Sequence, residues 1–255
     1  MAAFPLMLPG TSRPPKLVVF DLDHTLIACD ATILWTEFLY EKKIVTDPIW
    51  RQYDRDMVKS YAKGVLDIRD FCRKHAGAFR SIPEEKHHAL AQEFAKKKIA
   101  PLIFPDGKKW AKNALQANIP ACVLSASAAF IVKPIAKLFG LTDAMGIELA
   151  FKDGFCTGEI VGIPTFQEGK VERLSQRLAE AGIGFEDVLF FTDSRNDLPL
   201  AERAGYTVCV NPDAVLESAA RKNGWKVAEW KLSLRTQMTA QVDAKGVPET
   251  QTVRS

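Results

Sequence analysis

The chain lacks most of what marks a membrane, secreted or nucleic-acid-binding protein. No apolar run approaches the roughly 20 residues needed to cross a bilayer, so no membrane association is expected. No charged segment precedes an apolar stretch between Met1 and Pro15, so no secretory signal is expected. The net charge is only +3 over 255 residues, with Lys and Arg spread among acids. That leaves no basic-aromatic array for nucleic acid. Cysteine is scarce and scattered at Cys29, Cys72, Cys122, Cys156 and Cys209, without a CxxC pair. This argues against a disulfide framework and a zinc site, and for reduced, mostly buried thiols in a cytoplasmic protein. No GxGxxG follows a strand, so nothing points to a dinucleotide. Internal repeats and low-complexity tracts are absent as well.

What is there begins at Leu17-Val18-Val19-Phe20, an apolar run that predicts a short buried strand. Asp21-Leu22-Asp23-His24-Thr25 follows at once. Two carboxylates at the end of such a strand are costly in a core, because an unpaired buried charge costs several kcal/mol. A divalent cation is the simplest reason for them. Hard oxygen ligands suit Mg²⁺, which takes one or two carboxylates, waters and a substrate phosphate oxygen.

The length suffices for one large domain or for a core plus an insertion. From about residue 31 to 100 strand patterns vanish and apolar residues recur at helical spacing, as at Trp35, Phe38, Met57 and Tyr61. A helical cap over 31–100 is expected, with Ser81 capping a helix that starts near Glu84, and with His87 and His88 solvated. The rest alternates. Strands are expected at Pro120–Leu124, Ile147–Phe151, Phe155–Ile160, Val188–Phe191, Tyr206–Val210 and Trp225–Trp230, with a turn at Lys152-Asp153-Gly154. Helices are expected between most of them. The pattern predicts an α/β fold with a doubly wound, Rossmann-like, mainly parallel sheet and the cap inserted after the first strand. The core then comprises 16–30 and 101–233, and 1–15 and 234–255 are extended or disordered.

Ligands of open parallel sheets bind beyond the carboxyl ends of the strands. Asp21, Asp23, Ser125, and Asp193 with Asp197 stand at such ends, and Lys170 opens a helix behind Gly169. The set suits phosphoryl transfer. One carboxylate can attack phosphorus and split hydrolysis into two steps. Asp21 and Asp193 can hold Mg²⁺. Asp23 can protonate the leaving oxygen and then activate water. Ser125 and Lys170 can bind phosphoryl oxygens. Asp197 can orient Asp193 or a metal-bound water, or cap the helix at Leu198. Asp30 can cap the next helix or read a substrate cation. Arg69 and Arg73 can reach a substrate carboxylate or simply face water.

Four segments together resemble the haloacid dehalogenase-like superfamily in its phosphoserine phosphatase-like branch: Phe20–Leu26 as D-x-D-x-T, Val123–Ser127, Gly169–Leu174, and Thr192–Asp197 as D-S-x-x-D. The resemblance implies a nucleophile at Asp21 and an acid/base at Asp23, whose main-chain carbonyl also binds the metal. It implies a further metal ligand at Asp193 and a cap between the first two motifs. Where Gly or Ser is commoner in the family this chain has His24, and where Gly is commoner it has Thr192. Phosphoserine phosphatases read the substrate amine with a Glu near the position of Asp30. The implied function is Mg²⁺-dependent hydrolysis of a small phosphomonoester through an aspartyl phosphate. An amine-bearing ester such as phosphoserine or histidinol phosphate fits. A phosphotransferase and a catalytically silent phosphate-binding regulatory module are the alternatives. The partner is a small phosphorylated metabolite, and oligomeric state is not legible.

Overall fold

Leu17–Phe20 forms the first strand, β1, with every side chain buried. The structure is a computed structural model that describes residues 13–233. The termini expected at 1–15 and 234–255 lie outside the described residues, apart from 13–15. The chain continues through α1 (Ala31–Glu41), α2 (Ile49–Ala62), α3 (Ile68–His75), α4 (Glu84–Phe94), α5 (Pro105–Gln116), β2 (Ala121–Ala128), α6 (Ala129–Ala136), β3 (Asp143–Ile147), β4 (Leu149–Lys152) and β5 (Phe155–Ile160). It ends with α7 (Glu168–Ala181), β6 (Val188–Thr192), α8 (Leu198–Ala201), β7 (Tyr206–Val210), α9 (Ala214–Asn223) and β8 (Lys226–Ala228).

Six strands form one sheet in the order β3-β2-β1-β6-β7-β8, and every neighbouring pair is parallel. Parallel sheets need both faces covered, which explains strands that are apolar without alternation. The period of two then sorts the side chains. Val18, Phe20, Val123 and Phe191 pack with α5 and α6 on one face. Leu17, Val19, Leu124 and Phe190 pack with α7 and α8 on the other. This is the doubly wound, Rossmann-like α/β fold expected from the alternation of elements.

The segment between β1 and β2 is helical. Its two ends run side by side: Ala28 N donates to Leu102 O at 2.8 Å and Phe104 N to Leu26 O at 3.0 Å. Its helices divide in two. Trp35 and Phe38 of α1 and Phe94 of α4 join the core on the α6 side, and the Trp35 and Phe130 rings meet at 5.6 Å. Helices α2 and α3 form a roof, where Met57 and Phe71 pack with Ile147 and Ile160. The β4–β5 hairpin packs under α3, so the roof draws on residues far beyond 100.

Three local expectations are corrected. Ser81 does not cap α4. Pro83 precedes the helix, and Glu84 N donates instead to Gly154 O of the hairpin turn at 2.8 Å. The stretch expected as one strand over Ile147–Phe151 is divided: Asp143–Ile147 extends the parallel sheet, while Leu149–Lys152 pairs only with β5. His87 is fully buried among the rings of Phe79, Phe130 and Phe151, although His88 is exposed as expected. The hairpin turn itself stands as expected, with Asp153 and Gly154 at φ of 52° and 79°. All five cysteines are free, and four of them are buried.

Candidate active site

The sheet register brings distant carboxylates together. Phe20 pairs with Phe191 on one side and with Val123 on the other, so β1 and β6 end within a residue of one another while β2 runs on past them to Ala128, carrying Ser125 and Ser127 beside the ends of both. Asp21 N then donates to Phe191 O at 2.9 Å. Thr25 Oγ1 donates to Asp193 Oδ1 at 3.2 Å, tying the turn after β1 to the end of β6. The turn passes through His24 at φ 55°. That is a conformation glycine adopts freely, which gives a backbone reason for the glycine commoner there.

Lys170 lies beneath this level with 1 % of its surface exposed. Its Nζ is 2.7 Å from Asp21 Oδ1, and it reaches Asp197 Oδ1 at 2.7 Å and Oδ2 at 2.8 Å. Thr192 Oγ1 donates to Asp197 Oδ2 at 2.7 Å, so the hydroxyl that replaces the family's glycine is used. Asp197 stands at the start of α8, but its side chain makes no cap bond there and turns to Lys170. The position of Lys170 depends on Gly169. A Cβ at that residue would lie 1.9 Å from Pro164 O, so only glycine lets α7 start so close to the preceding loop. The same loop is anchored by Thr165 Oγ1, which donates to Ser125 O at 2.5 Å.

Asp23 is held by other groups. Ala31 N donates to its Oδ1 at 2.6 Å, Ser127 Oγ to its Oδ2 at 2.8 Å, and Ser125 Oγ to Oδ2 at 3.3 Å. Asp30 caps α1, accepting from Ile33 N at 3.0 Å, and also lines the cavity above Asp21. Among the expected site residues, Asp21, Asp23, Asp30 and Asp193 line that cavity, while Ser125, Lys170 and Asp197 stand behind them.

Charge is unbalanced here. Desolvation pushes the Asp21 carboxyl up to about 7; Lys170 opposes this, and Asp197 and Asp23 add to it. Desolvation, then the charge of Asp30, pushes Asp23 up to about 6. Asp193 is raised well above the usual carboxylate range by desolvation first, then by Asp21 and Asp197. Burial pulls the Lys170 ammonium down, but Asp197 and Asp21 outweigh it and hold it charged.

Sequence reasoning missed several groups. Ser127 lies two residues after Ser125 on the same strand, so period-two alternation puts both hydroxyls on one face. That signal was available. Gln167 and Asn196 had no such signal. Gln167 Nε2 donates to Gly64 O at 3.2 Å and to Asn196 Oδ1 at 3.1 Å, and Asn196 Nδ2 donates to Tyr61 O at 3.0 Å. These amides fasten the end of α2 to the loop that bears Asp193. Tyr61 lines the cavity, whereas Trp35 and Phe38 are buried in the core. Arg69 and Arg73 are exposed and do not line the cavity.

A family model for haloacid dehalogenase-like hydrolases matches residues 18–202, and this chain belongs to that family. It is a hydrolase of phosphoric monoesters. It is 35% identical over 220 residues to a histidinol-phosphatase of Neisseria meningitidis, covering 85% of this chain and 99% of that protein. It is 26% identical over 239 residues to a phosphoserine phosphatase of Mycobacterium tuberculosis, covering 90% of this chain and 77% of the other. A Bordetella pertussis protein of unknown function superposes with a TM-score of 0.75 at 31% identity, over 83% of this chain and 96% of that one. A phosphoserine phosphatase solved as a phospho-aspartyl intermediate analogue shares the fold, with a TM-score of 0.65 at 21% identity over 89% and 99% of the two chains. Among the described residues no helix is long and apolar enough to cross a membrane.

Proposed function

We propose that this chain is a Mg²⁺-dependent phosphatase that hydrolyses a small, amine-bearing phosphorylated metabolite through an aspartyl phosphate on Asp21. The observation that carries this reading is the excess of negative charge around one ammonium. Asp21 and Asp193 share a cavity wall and both carboxyls are raised, while Lys170 is already committed to Asp21 and Asp197. A bound cation relieves that repulsion, and an all-oxygen donor set suits Mg²⁺. Among the described residues no three acidic, His or Cys side chains gather as a ligand set. Asp21 and Asp193 would hold the cation through their carboxylates, with main-chain and water oxygens completing the set; the family resemblance makes the Asp23 carbonyl one of these. When bound, the ion would draw charge from the phosphoryl oxygens.

The side chains supply the steps. Lys170 fixes Asp21 Oδ1, which leaves Oδ2 to attack phosphorus. The P–O bond to the substrate alcohol breaks, and the departing oxygen takes the proton held by Asp23. A value near 6 lets Asp23 hold that proton and release it near neutrality. In the second step the Asp23 carboxylate takes a proton from water as the water oxygen attacks phosphorus. The P–O bond to Asp21 breaks and phosphate leaves. Ser125 and the Lys170 ammonium offset charge on the phosphoryl oxygens. Asp197 and Thr192 keep Lys170 in place. Asp30 faces the substrate amine. The names of the relatives suggest histidinol phosphate and phosphoserine as first compounds to try.

Turnover of 4-nitrophenyl phosphate tests the reading. Activity should vanish with EDTA, return with Mg²⁺, and fall to background in Asp21→Asn. Acid-quenched enzyme should carry a hydroxylamine-labile phosphate in Asp23→Asn but not in Asp21→Asn. Turnover that survives EDTA, or that survives in Asp21→Asn, overturns it.

A further inference from the structure

The cavity above Asp21 has a volume of about 540 Å³, within the range of roughly 300–1,000 Å³ typical of small-molecule sites. Its floor is polar, made by Asp21, Asp23, Asp193 and Ser127. Its walls and roof are apolar. Ile33 comes from α1, Met57 and Val58 from α2, and Ile68 and Phe71 from α3, with Leu66 in the turn between them. Among the described residues no Lys or Arg lines it. Arg69 and Arg73, which were candidate readers of a carboxylate, point elsewhere. Glu37 borders the cavity but is paired in a fork with Arg51, at 2.7 and 2.8 Å. Asp213 also borders it, but both of its oxygens accept backbone N–H groups, Oδ1 from Val215 and Leu216 at 3.0 and 2.8 Å and Oδ2 from Arg195 at 2.7 Å. Asp30, which caps α1 through Oδ1, is then the acid outside the floor best placed to meet a charged group on the substrate.

We infer, resting on the phosphatase reading above, that the natural substrate is the phosphate ester of an amine-bearing alcohol with an apolar body and no carboxylate. A carboxylate carried into this space leaves water for a chamber that holds further carboxylates and no Lys or Arg, with His24, the histidine that lines it, already beside Asp23; like charges so placed are strongly penalised. An apolar body instead removes hydrocarbon from water on both sides of the contact, worth about fourfold in affinity per buried methylene. An amine is accepted at the acidic end beside Asp30. The two named relatives thereby separate: phosphoserine carries a carboxylate, and histidinol phosphate does not.

Two matched pairs test this on the full-length enzyme with Mg²⁺. Phosphoethanolamine and phosphoserine differ only by the carboxylate, and phosphoethanolamine should have the higher kcat/KM by at least about tenfold. 2-Phenylethyl phosphate should exceed ethyl phosphate by at least about tenfold. Leu66→Arg places a guanidinium in the roof and should move the first ratio about tenfold toward phosphoserine. Should that variant fail to fold, the wild-type ratios decide alone. Ratios below threefold in either pair, or a preference for phosphoserine, overturn the inference. 4-Nitrophenyl phosphate is the control. Its turnover alongside such ratios sinks only the substrate class, whereas no turnover of any ester sinks the phosphatase reading and this inference with it.

Discussion

Lys170 Nζ lies 2.7 Å from Asp21 Oδ1, and the lysine that makes this contact is as buried as the core leucines. It is the internal counterion of the site. Removing one partner of a buried ionic cluster costs about 3–5 kcal/mol, because the other charges remain without compensation. Lys170→Met should therefore lower stability by about that amount in urea unfolding, measured without metal. Lys170→Met combined with Asp197→Asn should recover part of the loss. A single variant as stable as wild type would show that Lys170 does not neutralise the carboxylates.

Gly169 controls where that ammonium sits. A Cβ added here would fall 1.9 Å from Pro164 O, so Gly169→Ala must move backbone. Overpacking of this kind costs about 1–3 kcal/mol. Displacing Lys170 by even a fraction of an ångström should lower kcat by about tenfold or more. Melting temperature and kcat should fall together. An alanine variant with unchanged kcat would place the control of Lys170 elsewhere.

Gln167 holds the roof down from a strained backbone, at φ 49° and ψ −124°. Gln167→Ala and Gln167→Gly both lose the bonds to Gly64 O and Asn196 Oδ1. Only glycine also relieves the dihedral, so it should be more stable than alanine by about 1 kcal/mol. Hydrogen exchange should then show faster exchange in the last turn of α2 in both variants, with β6 unaffected. Unchanged exchange in α2 would mean that the roof is held without this clamp.

His87 should make the protein acid-sensitive. Burial lowers it from its ordinary 6.5 to about 4, outweighing the opposing pull of the Phe79 and Ile82 backbone. Between those values the unfolded chain binds more protons than the native one. Its contribution to stability is thus present above pH 6.5 and is lost as pH falls to 4, up to about 3 kcal/mol. Asp21 and Asp23 act in the opposite sense. Their raised values favour the native state at low pH, and that contribution falls as pH rises above 3.8 and is gone by about 6 for Asp23 and about 7 for Asp21. The difference between wild type and His87→Met isolates the histidine. The variant should match or exceed wild type at pH 7 and lose less stability by pH 5, read from urea midpoints. Parallel pH profiles would count against a neutral buried His87.

Much of this protein was legible in one dimension. Leu17–Phe20 had to be a strand buried on both faces, and the acids after it had to stand at its end, because four apolar residues leave no other face for them. The alternation from Lys108 onward implied a parallel sheet, and the turn at Asp153-Gly154 carried its own chemistry. The Ser125 and Ser127 pair is readable from period two, since both stand on one face of β2. His87 was misjudged because a histidine in a polar helix gives no local sign of three phenylalanines arriving from Phe79, Phe130 and Phe151.

The amino-acid order alone determined which chemical groups lie at strand ends and helix starts, since propensity, spacing and desolvation cost act within a few residues. Only the folded sheet decided which of them meet. Register between β1 and β6 joins position 21 to position 193, glycine 169 lets the lysine in beneath them, and the packing of α2 and α3 leaves the chamber above without a lysine or arginine among the described residues. Those outcomes depend on how segments far apart in the chain come to pack together, and no local pattern encodes that.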